Sequence, residues 1–254
     1  MPLASGRHFL AIPGPSVMPD EVLRAMHRPS ANIYDGPLVD MTVNMTPDLK
    51  SIARTNGHVM TYITNGHGVW EAALANTLDV GDKALVLESG RFAMGWAEMA
   101  EGIGAKVQLI DFGTSSAWDF DRIADALRAD QSHQIKAVLA VHVDTSSSIR
   151  NDIPALRRLL DDLQHPALLM ADCIASLGCD RFEMDEWGVD VVLAASQKGF
   201  MLPAGLAIVG FSDKAMDATK TATLPRTFFD VHDMAKGYAN NAYPYTPAVG
   251  LMNG

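Results

Sequence analysis

The sequence predicts an α/β fold with a mostly parallel sheet flanked by helices. The first observation behind this prediction is composition, because 254 residues that are 48% hydrophobic and 20% charged can enclose a substantial core in one large domain. The second is the alternation, from about residue 58 onward, of short apolar runs with stretches of helical spacing. The third is that these runs are apolar throughout, which is typical of strands buried on both faces.

Six apolar runs are predicted to be strands, at residues 84–87, 106–110, 137–142, 167–171, 190–194 and 206–210. Helical spacing predicts helices between and after them, at residues 68–78, 92–102, 120–130, 154–163 and 213–221. Consecutive parallel strands need a long crossover connection, usually a helix, so this order of elements indicates a parallel sheet.

The two ends of the chain follow different patterns. The sequence Ile-Pro-Gly-Pro-Ser at residues 12–16 indicates a rigid, non-helical segment, and it is followed by a short predicted helix at 19–26 and a predicted loop at 29–40. The final residues have the spacing of a helix that is just beginning. We therefore expect an N-terminal arm at residues 1–20, a large domain at 21–247 and the start of a further helix at 248–254.

Composition also excludes several classes of function. A formal net charge of −10 argues against nucleic acid and anionic membrane surfaces as partners. No run is long enough for a membrane span and the N-terminus lacks the apolar region of a signal peptide, so we expect a cytoplasmic protein. The cysteines, Cys173 and Cys179, indicate neither a disulfide framework nor a metal site, and both are expected to be buried or partly buried.

Two residues that follow predicted strands could carry chemistry. Lys198 comes after the strand at 190–194, at the edge where open α/β sheets bind ligands. Desolvation there would lower the pKa of its amine and favour attack on a carbonyl, although an ordinary surface lysine is the alternative. Asp172 follows the strand at 167–171, where a carboxylate could keep a pyridine nitrogen protonated. The alternative for Asp172 is a side chain that caps its own turn.

A glycine-containing turn at residues 64–71 leads into a predicted helix. Its backbone N–H groups, together with the positive end of the helix dipole, would suit a phosphate monoester. The residues of the turn that could contact such a group are Asn65, Gly66 and His67. A plain helix cap is the alternative, and a packed, hydrogen-bonded side chain is the alternative for His67.

Two more strand ends complete the predicted site. Phe92 follows the strand at 84–87 and could stack on a flat ring, or it could belong to the core. Thr145 begins a run of hydroxyl residues that could bond a phenolic oxygen, or form a serine-rich turn. Because the carboxyl ends of parallel strands meet at one edge, a single cleft could collect all of these groups.

Short motifs then connect the sequence to a family. Ile-Pro-Gly-Pro at 12–15 and Trp-Glu-Ala-Ala-Leu at 70–74 look like that family's N-terminal motif and the helix after its phosphate turn. Its most specific signature is Ser-Gln-Lys at 196–198 followed by Met-Leu-Pro-Ala-Gly-Leu at 201–206. Over essentially its whole length the chain resembles the class V aminotransferases, in the branch that includes the alanine–glyoxylate and serine–glyoxylate enzymes.

This resemblance implies the large domain of a fold type I transferase that binds pyridoxal 5′-phosphate (PLP) as a Schiff base on Lys198. Asp172 would be the second catalytic residue, as the partner of the ring nitrogen. Phe92 would stack on the ring and Thr145 would lie near the phenolic oxygen. The other cofactor contacts that the resemblance implies are Asn65, Gly66, His67, Ile174 and Gln197.

The resemblance also implies a homodimer. In this family a Tyr-x-x-Thr motif from the neighbouring subunit completes the phosphate site, and Tyr243 and Thr246 match that motif. The function implied is transamination of a small amino acid with glyoxylate, which gives glycine, with Lys198 as the proton shuttle. Serine, alanine and aspartate all remain open as donors, since the segments 224–230 and 243–247 also resemble bacterial aspartate–glyoxylate enzymes.

Two other interpretations remain open at this point. Relatives continue into a small C-terminal domain with an arginine for the substrate carboxylate, so we expect this chain to be truncated. A truncated chain could be inactive, or could bind only the cofactor. The fold also hosts PLP lyases and desulfurases, but a desulfurase needs a mobile catalytic cysteine, whereas Cys173 and Cys179 adjoin the Asp172 segment.

Overall fold

The computed structural model describes residues 10–254, which form an α/β fold. The strands are β1 (His58–Tyr62), β2 (Lys83–Glu88), β3 (Lys106–Asp111), β4 (Ile135–Val141), β5 (Val143–Asp144), β6 (Ile149–Arg150), β7 (Leu168–Asp172), β8 (Val191–Ala195) and β9 (Ala207–Phe211). The helices are α1 (Asp20–Met26), α2 (Pro37–Ala53), α3 (Gly66–Thr77), α4 (Arg91–Gly102), α5 (Phe120–Ala129), α6 (Ile153–Asp162), α7 (Asp213–Thr219), α8 (Val231–Ala239) and α9 (Val249–Met252).

A seven-stranded sheet in the order β1-β9-β8-β7-β4-β2-β3 forms the centre of the molecule. Strands β3, β2, β4, β7 and β8 are parallel neighbours, whereas β9 is antiparallel to both β8 and β1. In consequence β1 points in the same direction as the parallel strands. Six strands therefore present their carboxyl ends at the same edge, which is where such sheets bind ligands.

Helices cover both faces of the sheet, so its strands are buried on both sides. Neighbouring residues of β4 belong to the cores on opposite faces of the sheet. Leu139 is in the core that contains Trp70 of α3 and Trp96 of α4, whereas Val138 is in the core that contains residues of α5 and α6. Side chains alternate across a strand, so a strand enclosed in this way must be apolar at every position. This is the physical reason for the continuous apolar runs.

The six predicted strands are all present, with ends shifted by at most a residue or two. The five predicted helices and the short helix near residue 20 are also present, and α9 lies within the predicted C-terminal helix. The arm predicted at residues 1–20 falls partly outside the described residues, and the division into an arm, a large domain and a further helix stays a prediction.

One part of the sequence-based assignment was wrong. The predicted loop at residues 29–40 overlaps α2, which begins at Pro37 and continues to Ala53. Proline suits the first position of a helix because its missing N–H would have no partner there anyway, but a second proline, Pro47, lies inside this helix. Leu49 and Ala53 bury the end of α2 against the sheet, so tertiary packing outweighs the poor local propensity.

Three further elements were not assigned from the sequence, namely β1, α8 and the small antiparallel pair of β5 with β6. Strand β1 directly precedes the glycine-containing turn, and β5 ends one residue before Thr145. Among the described residues, no helix is both long and apolar enough to cross a membrane.

Candidate active site

Residues that follow β1, β2, β4, β7 and β8 surround one cleft at the carboxyl edge of the sheet. The cleft has about 410 Å³ of empty space, part of which is open to solvent. Its lining residues are Gly66, His67, Trp70, Phe92, Val141, Val143, Thr145, Asp172, Ile174, Ala175, Gln197 and Lys198. The structure therefore brings together eight of the residues predicted from the sequence.

Lys198 lies three residues beyond β8 and its side chain is partly buried in the cleft. Its Nζ donates a hydrogen bond to the carbonyl oxygen of Pro13, at 3.2 Å. Ser16 holds the backbone around the lysine, because its N–H donates to the carbonyl of Gln197 and its Oγ donates to the carbonyl of Lys198. Burial lowers the pKa of the Lys198 amine, which favours the neutral form that attacks carbonyls.

Asp172 is the last residue of β7 and is almost fully buried. One carboxylate oxygen, Oδ2, accepts a hydrogen bond from the indole Nε1 of Trp70 at 2.8 Å, and Oδ1 accepts one from the backbone N–H of Ile174 at 2.8 Å. Burial raises the pKa of Asp172 to about 6, despite these two hydrogen bonds. Within residues 10–254 the carboxylate forms no ion pair, so a cationic ligand group would satisfy it.

The glycine-containing turn forms the N-terminus of α3. Asn65 is the N-cap, and its Oδ1 accepts from the backbone N–H groups of His67 and Gly68 at 3.0 and 3.4 Å. Asn65 does not line the cleft, so its position supports the capping interpretation, while Gly66 and His67 do line it. Gly66 has little free space, since a Cβ at this position would lie 2.5 Å from Cδ1 of Ile174.

Phe92 lies in the first turn of α4 and reaches the cleft from the side of β2. A fully buried carboxylate, Asp144, holds this helix end, because its Oδ2 accepts from the backbone N–H groups of Phe92 and Ala93 at 3.0 and 3.2 Å. Its other oxygen accepts two hydrogen bonds from Ser146. A negative group is favoured at the N-terminus of a helix, so Asp144 fixes the start of α4 and thereby the position of Phe92.

Tyr243 and Thr246 are not in this cleft. Tyr243 lines a separate cavity that includes Tyr62 and Phe228, and Thr246 is exposed. The Oη of Tyr243 is buried and has no hydrogen-bond partner in the described part of the chain. The role of both residues in a neighbouring subunit stays a prediction.

The two cysteines also lie outside the lining of the cleft. Cys173 is buried, and burial raises the pKa of its thiol, so it is a poor nucleophile. Cys179 is exposed, so the prediction that both cysteines are buried or partly buried was wrong for this residue. It directly follows Gly178, whose φ of +83° belongs to a tight surface turn.

Three functional candidates were not identified as such from the sequence. Trp70 was recognised only as part of a family motif, yet its indole holds Asp172. Asp144 contacts the start of α4, and the Pro13 carbonyl contacts Lys198; both partners are distant in the sequence. A buried tryptophan in the first turns of a helix that follows a phosphate-type turn could have been a clue for Trp70, but long-range contacts of this kind have no local sequence pattern.

The residues of the cleft fit PLP, the cofactor that the resemblance implies. Asp172 offers a buried carboxylate for the ring nitrogen, Lys198 offers an amine of lowered pKa, and Phe92 offers a flat face. The buried Oε1 of Gln197 has no hydrogen-bond partner in residues 10–254, although buried polar atoms are nearly always paired. An unpaired acceptor on the wall of the cleft is expected where a ligand completes the site.

Comparison with known proteins supports the same family. The model of the family described as aminotransferase class-V matches residues 64–245 of the chain, which contain the turn, Asp172 and Lys198. The L-aspartate–glyoxylate aminotransferase of Paracoccus denitrificans is 45% identical over 247 residues, and a serine–glyoxylate aminotransferase of Arabidopsis thaliana is 39% identical over 251 residues. These alignments cover 96% and 98% of this chain but 62% and 63% of the relatives.

Solved structures agree with the sequence comparison. A subgroup IV aspartate aminotransferase from Thermus thermophilus superposes with a TM-score of 0.88 at 26% identity, covering 97% of this chain and 68% of that one. The chain thus spans about three-fifths of the length of the curated relatives it matches. With the family model over most of its residues and relatives well above 30% identity, the chain belongs to the class V aminotransferases.

Proposed function

We propose that the protein containing this chain is a PLP-dependent aminotransferase that transfers the amino group of a small amino acid to glyoxylate and produces glycine. The observation that carries the proposal is the presence of Lys198 and Asp172 in one cleft, the former with a lowered and the latter with a raised pKa. Displaced pKa values of this kind cluster at functional sites. The relatives that are named for glyoxylate supply the acceptor.

When bound, PLP supplies an aldehyde that joins covalently to amines and a protonated ring that accepts electrons from the bond to the α-hydrogen. Asp172 would hold the proton on the ring nitrogen through its carboxylate. Its two hydrogen bonds, from Trp70 and from the backbone of Ile174, fix the plane of that carboxylate before any ligand arrives. The side chain therefore needs little rearrangement to accept the ring N–H.

Lys198 would act twice in this proposal. Its Nζ would hold the cofactor covalently, and the same nitrogen, once free, would be the base that accepts and returns the substrate's α-proton. The Pro13 carbonyl, 3.2 Å from Nζ, gives the free amine a hydrogen-bond partner inside the cleft. Burial lowers the pKa of that amine, which favours its neutral, proton-accepting form.

The remaining contacts would orient the cofactor. The N-terminus of α3, with Gly66 and His67, presents backbone N–H groups that suit the phosphate. Phe92 would stack on the ring, and Thr145 and Gln197 would bond its polar substituents. Asn65 would act indirectly, by capping α3, and Ile174 would contact the ring beside Asp172.

The donor, the quaternary structure and the location are further parts of the proposal. Aspartate and serine are both supported as donors by the names of relatives at 45% and 39% identity, and alanine is the third candidate. A homodimer, in which Tyr243 and Thr246 reach the partner's phosphate site, is supported by the position of both residues outside their own cleft. The cytoplasmic location stays a prediction from the sequence.

The proposal is tested by the colour of the bound cofactor. The purified protein with PLP should become yellow, should lose that colour with aspartate, serine or alanine, and should regain it with glyoxylate as glycine appears. Asp172→Asn should still bind the cofactor, but the colour loss should be slower by orders of magnitude, since the ring nitrogen loses its ionic partner. A coloured protein that no amino acid bleaches would contradict the transamination, and a protein that never takes up PLP would contradict the whole proposal.

A further inference from the structure

The indole ring of Trp70 lines the cleft and contacts the Asp172 carboxylate directly. Trp70 lies one turn into α3 and is 1% exposed. Its Nε1–H donates to Oδ2 of Asp172 at 2.8 Å, and this bond is buried. The two residues are 102 positions apart in the sequence, so the contact joins the helix after β1 to the end of β7.

Trp70 also contacts the two other rings that border the cleft. The ring of His67 packs edge-on at 4.7 Å and that of Phe92 at 6.3 Å between centroids. On its far side Trp70 stacks on Trp96, with centroids 6.1 Å apart and planes within 16°. Trp70 is therefore held by its neighbours in the orientation that points Nε1 at the carboxylate.

We propose that Trp70 is a positioning residue for the cofactor: its indole N–H keeps Asp172 ionised and oriented toward the ring nitrogen. This inference rests on the proposed function, in which Asp172 meets that nitrogen. Packing alone could be supplied by any large apolar side chain at position 70. A hydrogen bond to a charged acceptor requires the indole nitrogen, because phenylalanine or leucine has no donor there.

The electrostatics of Asp172 explain why such a donor is needed. Burial raises the pKa of Asp172, the charge of Asp144 raises it further, and Lys198 lowers it. The N–H groups of Trp70 and Ile174 stabilise the ionised form and so oppose the effect of burial. Cys173 adds no charge here, since burial raises the pKa of its thiol well above the ordinary value. Without the indole, a larger fraction of Asp172 would be protonated near pH 7, and a protonated carboxyl cannot pair with a ring cation.

The chain contains a matched control for this residue. Trp96 belongs to the same stacked pair and is fully buried, but its Nε1 has no hydrogen-bond partner in the described part of the chain. Trp70→Phe and Trp96→Phe therefore remove the same atoms from the same cluster. Only Trp70→Phe also removes a hydrogen bond to Asp172. A merely structural role would make the two variants behave alike.

The first measurement uses the cofactor-free protein and no enzyme activity. Four tryptophans give four indole N–H signals in an ¹⁵N-resolved NMR spectrum. The signal that disappears in Trp70→Phe should titrate with a midpoint near the pKa of Asp172, about 6, and should stop titrating in Asp172→Asn. The Trp96 signal should not follow this titration. A Trp70 signal that is unaffected by pH would overturn the proposal. If Trp70→Phe fails to fold, the same test applies to whichever indole signal changes in Asp172→Asn, and the absence of any titrating indole signal in the parent would overturn the proposal.

The second measurement is the dissociation constant for PLP at about pH 6.5 and pH 8.5. Loss of one hydrogen bond to a carboxylate raises its pKa by roughly one unit, so at the lower pH the ionised fraction of Asp172, and with it PLP affinity, should fall about threefold in Trp70→Phe. At the higher pH Asp172 is ionised in both proteins, so the two should bind PLP equally. Trp96→Phe should stay within about twofold at both. Equal losses in the two variants, or a loss in Trp70→Phe that does not change with pH, would overturn the positioning role.

The two measurements also separate this inference from the proposed function. If neither the parent nor Trp96→Phe binds PLP at any pH, the proposed function fails, while the indole titration still decides whether Trp70 holds the ionised Asp172. If both bind PLP and only the pH-dependent difference is missing, the proposed function stands and the inference about Trp70 is wrong.

Discussion

The amine of Lys198 donates a hydrogen bond to the carbonyl oxygen of Pro13 across 3.2 Å. The two residues are 185 positions apart, so the segment before α1 is part of the wall of the cleft. Ser16 strengthens this connection through its bonds to the backbone of Gln197 and Lys198. The family motif at residues 12–15 thus has a physical role, which is to cover the lysine and to hold its free amine.

Gly14→Ala should disturb the lysine without unfolding the protein. A Cβ at Gly14 would lie 2.5 Å from Nζ of Lys198, and real Cβ atoms do not approach other atoms so closely. The lysine side chain is flexible and would move away, so we expect the rate of covalent PLP attachment to fall by roughly an order of magnitude or more. Stopped-flow absorbance after mixing with PLP measures that rate.

The control for this variant is Gly102→Ala. Gly102 ends α4 and a Cβ there would meet no atom within 4 Å, so its attachment rate should equal that of the parent. If Gly14→Ala attaches the cofactor as fast as Gly102→Ala does, the N-terminal segment does not constrain the lysine.

Lys198→Ala should abolish covalent attachment of PLP. In the parent protein, borohydride reduction should fix the cofactor on the peptide that contains Lys198, because this is the only lysine among the residues that line the cleft. Peptide mass spectrometry locates the label. Lys220→Ala, which changes an exposed lysine paired with Asp217, should label like the parent. A label on another peptide of a folded Lys198→Ala protein would show that the lysine has been assigned incorrectly.

Asp172→Asn should remove a pH dependence from the stability of the cofactor-free protein. Burial raises the folded-state pKa of Asp172 from 3.8 to about 6, so between these values the folded state binds more protons than the unfolded state and stability falls as pH rises. Two pKa units correspond to about 3 kcal/mol, and asparagine does not titrate. Relative to the parent, the unfolding free energy of the variant should therefore increase by up to ~3 kcal/mol between about pH 4 and pH 7. Urea unfolding at several pH values measures this shift, and a difference that does not change with pH would contradict it.

Asp144→Ala should destabilise the fold and loosen Phe92. The substitution leaves the backbone N–H groups of Phe92 and Ala93 without their buried acceptor, which should cost about 2–4 kcal/mol in unfolding free energy. Asp119→Ala removes an exposed N-cap from α5 and should cost only about 1 kcal/mol. Urea denaturation compares the two. Equal losses would mean that Asp144 is an ordinary cap.

The main elements of the fold could be predicted from the sequence because they depend on local patterns. A strand that is enclosed between two layers of helices must be apolar at each position, and β4, β7 and β8 therefore appear as continuous apolar runs. The order of strands and helices then implies parallel pairing, and parallel pairing places Asp172 and Lys198 at the same edge. Helix α2 was missed because Pro47 is a strong local signal against a helix, and the packing of Leu49 and Ala53 against the sheet overrides it.

What the sequence alone determined is therefore a set of candidate site residues and the edge of the sheet where they meet. These candidates are Lys198, Asp172, Phe92 and the turn at residues 64–71. Only the tertiary structure decided which groups support them. The indole of Trp70 on Asp172, the carboxylate of Asp144 on α4 and the carbonyl of Pro13 on Lys198 are contacts between residues more than fifty positions apart. Each of these contacts depends on the distance and direction between two groups in the folded chain. No periodicity along the sequence encodes that geometry.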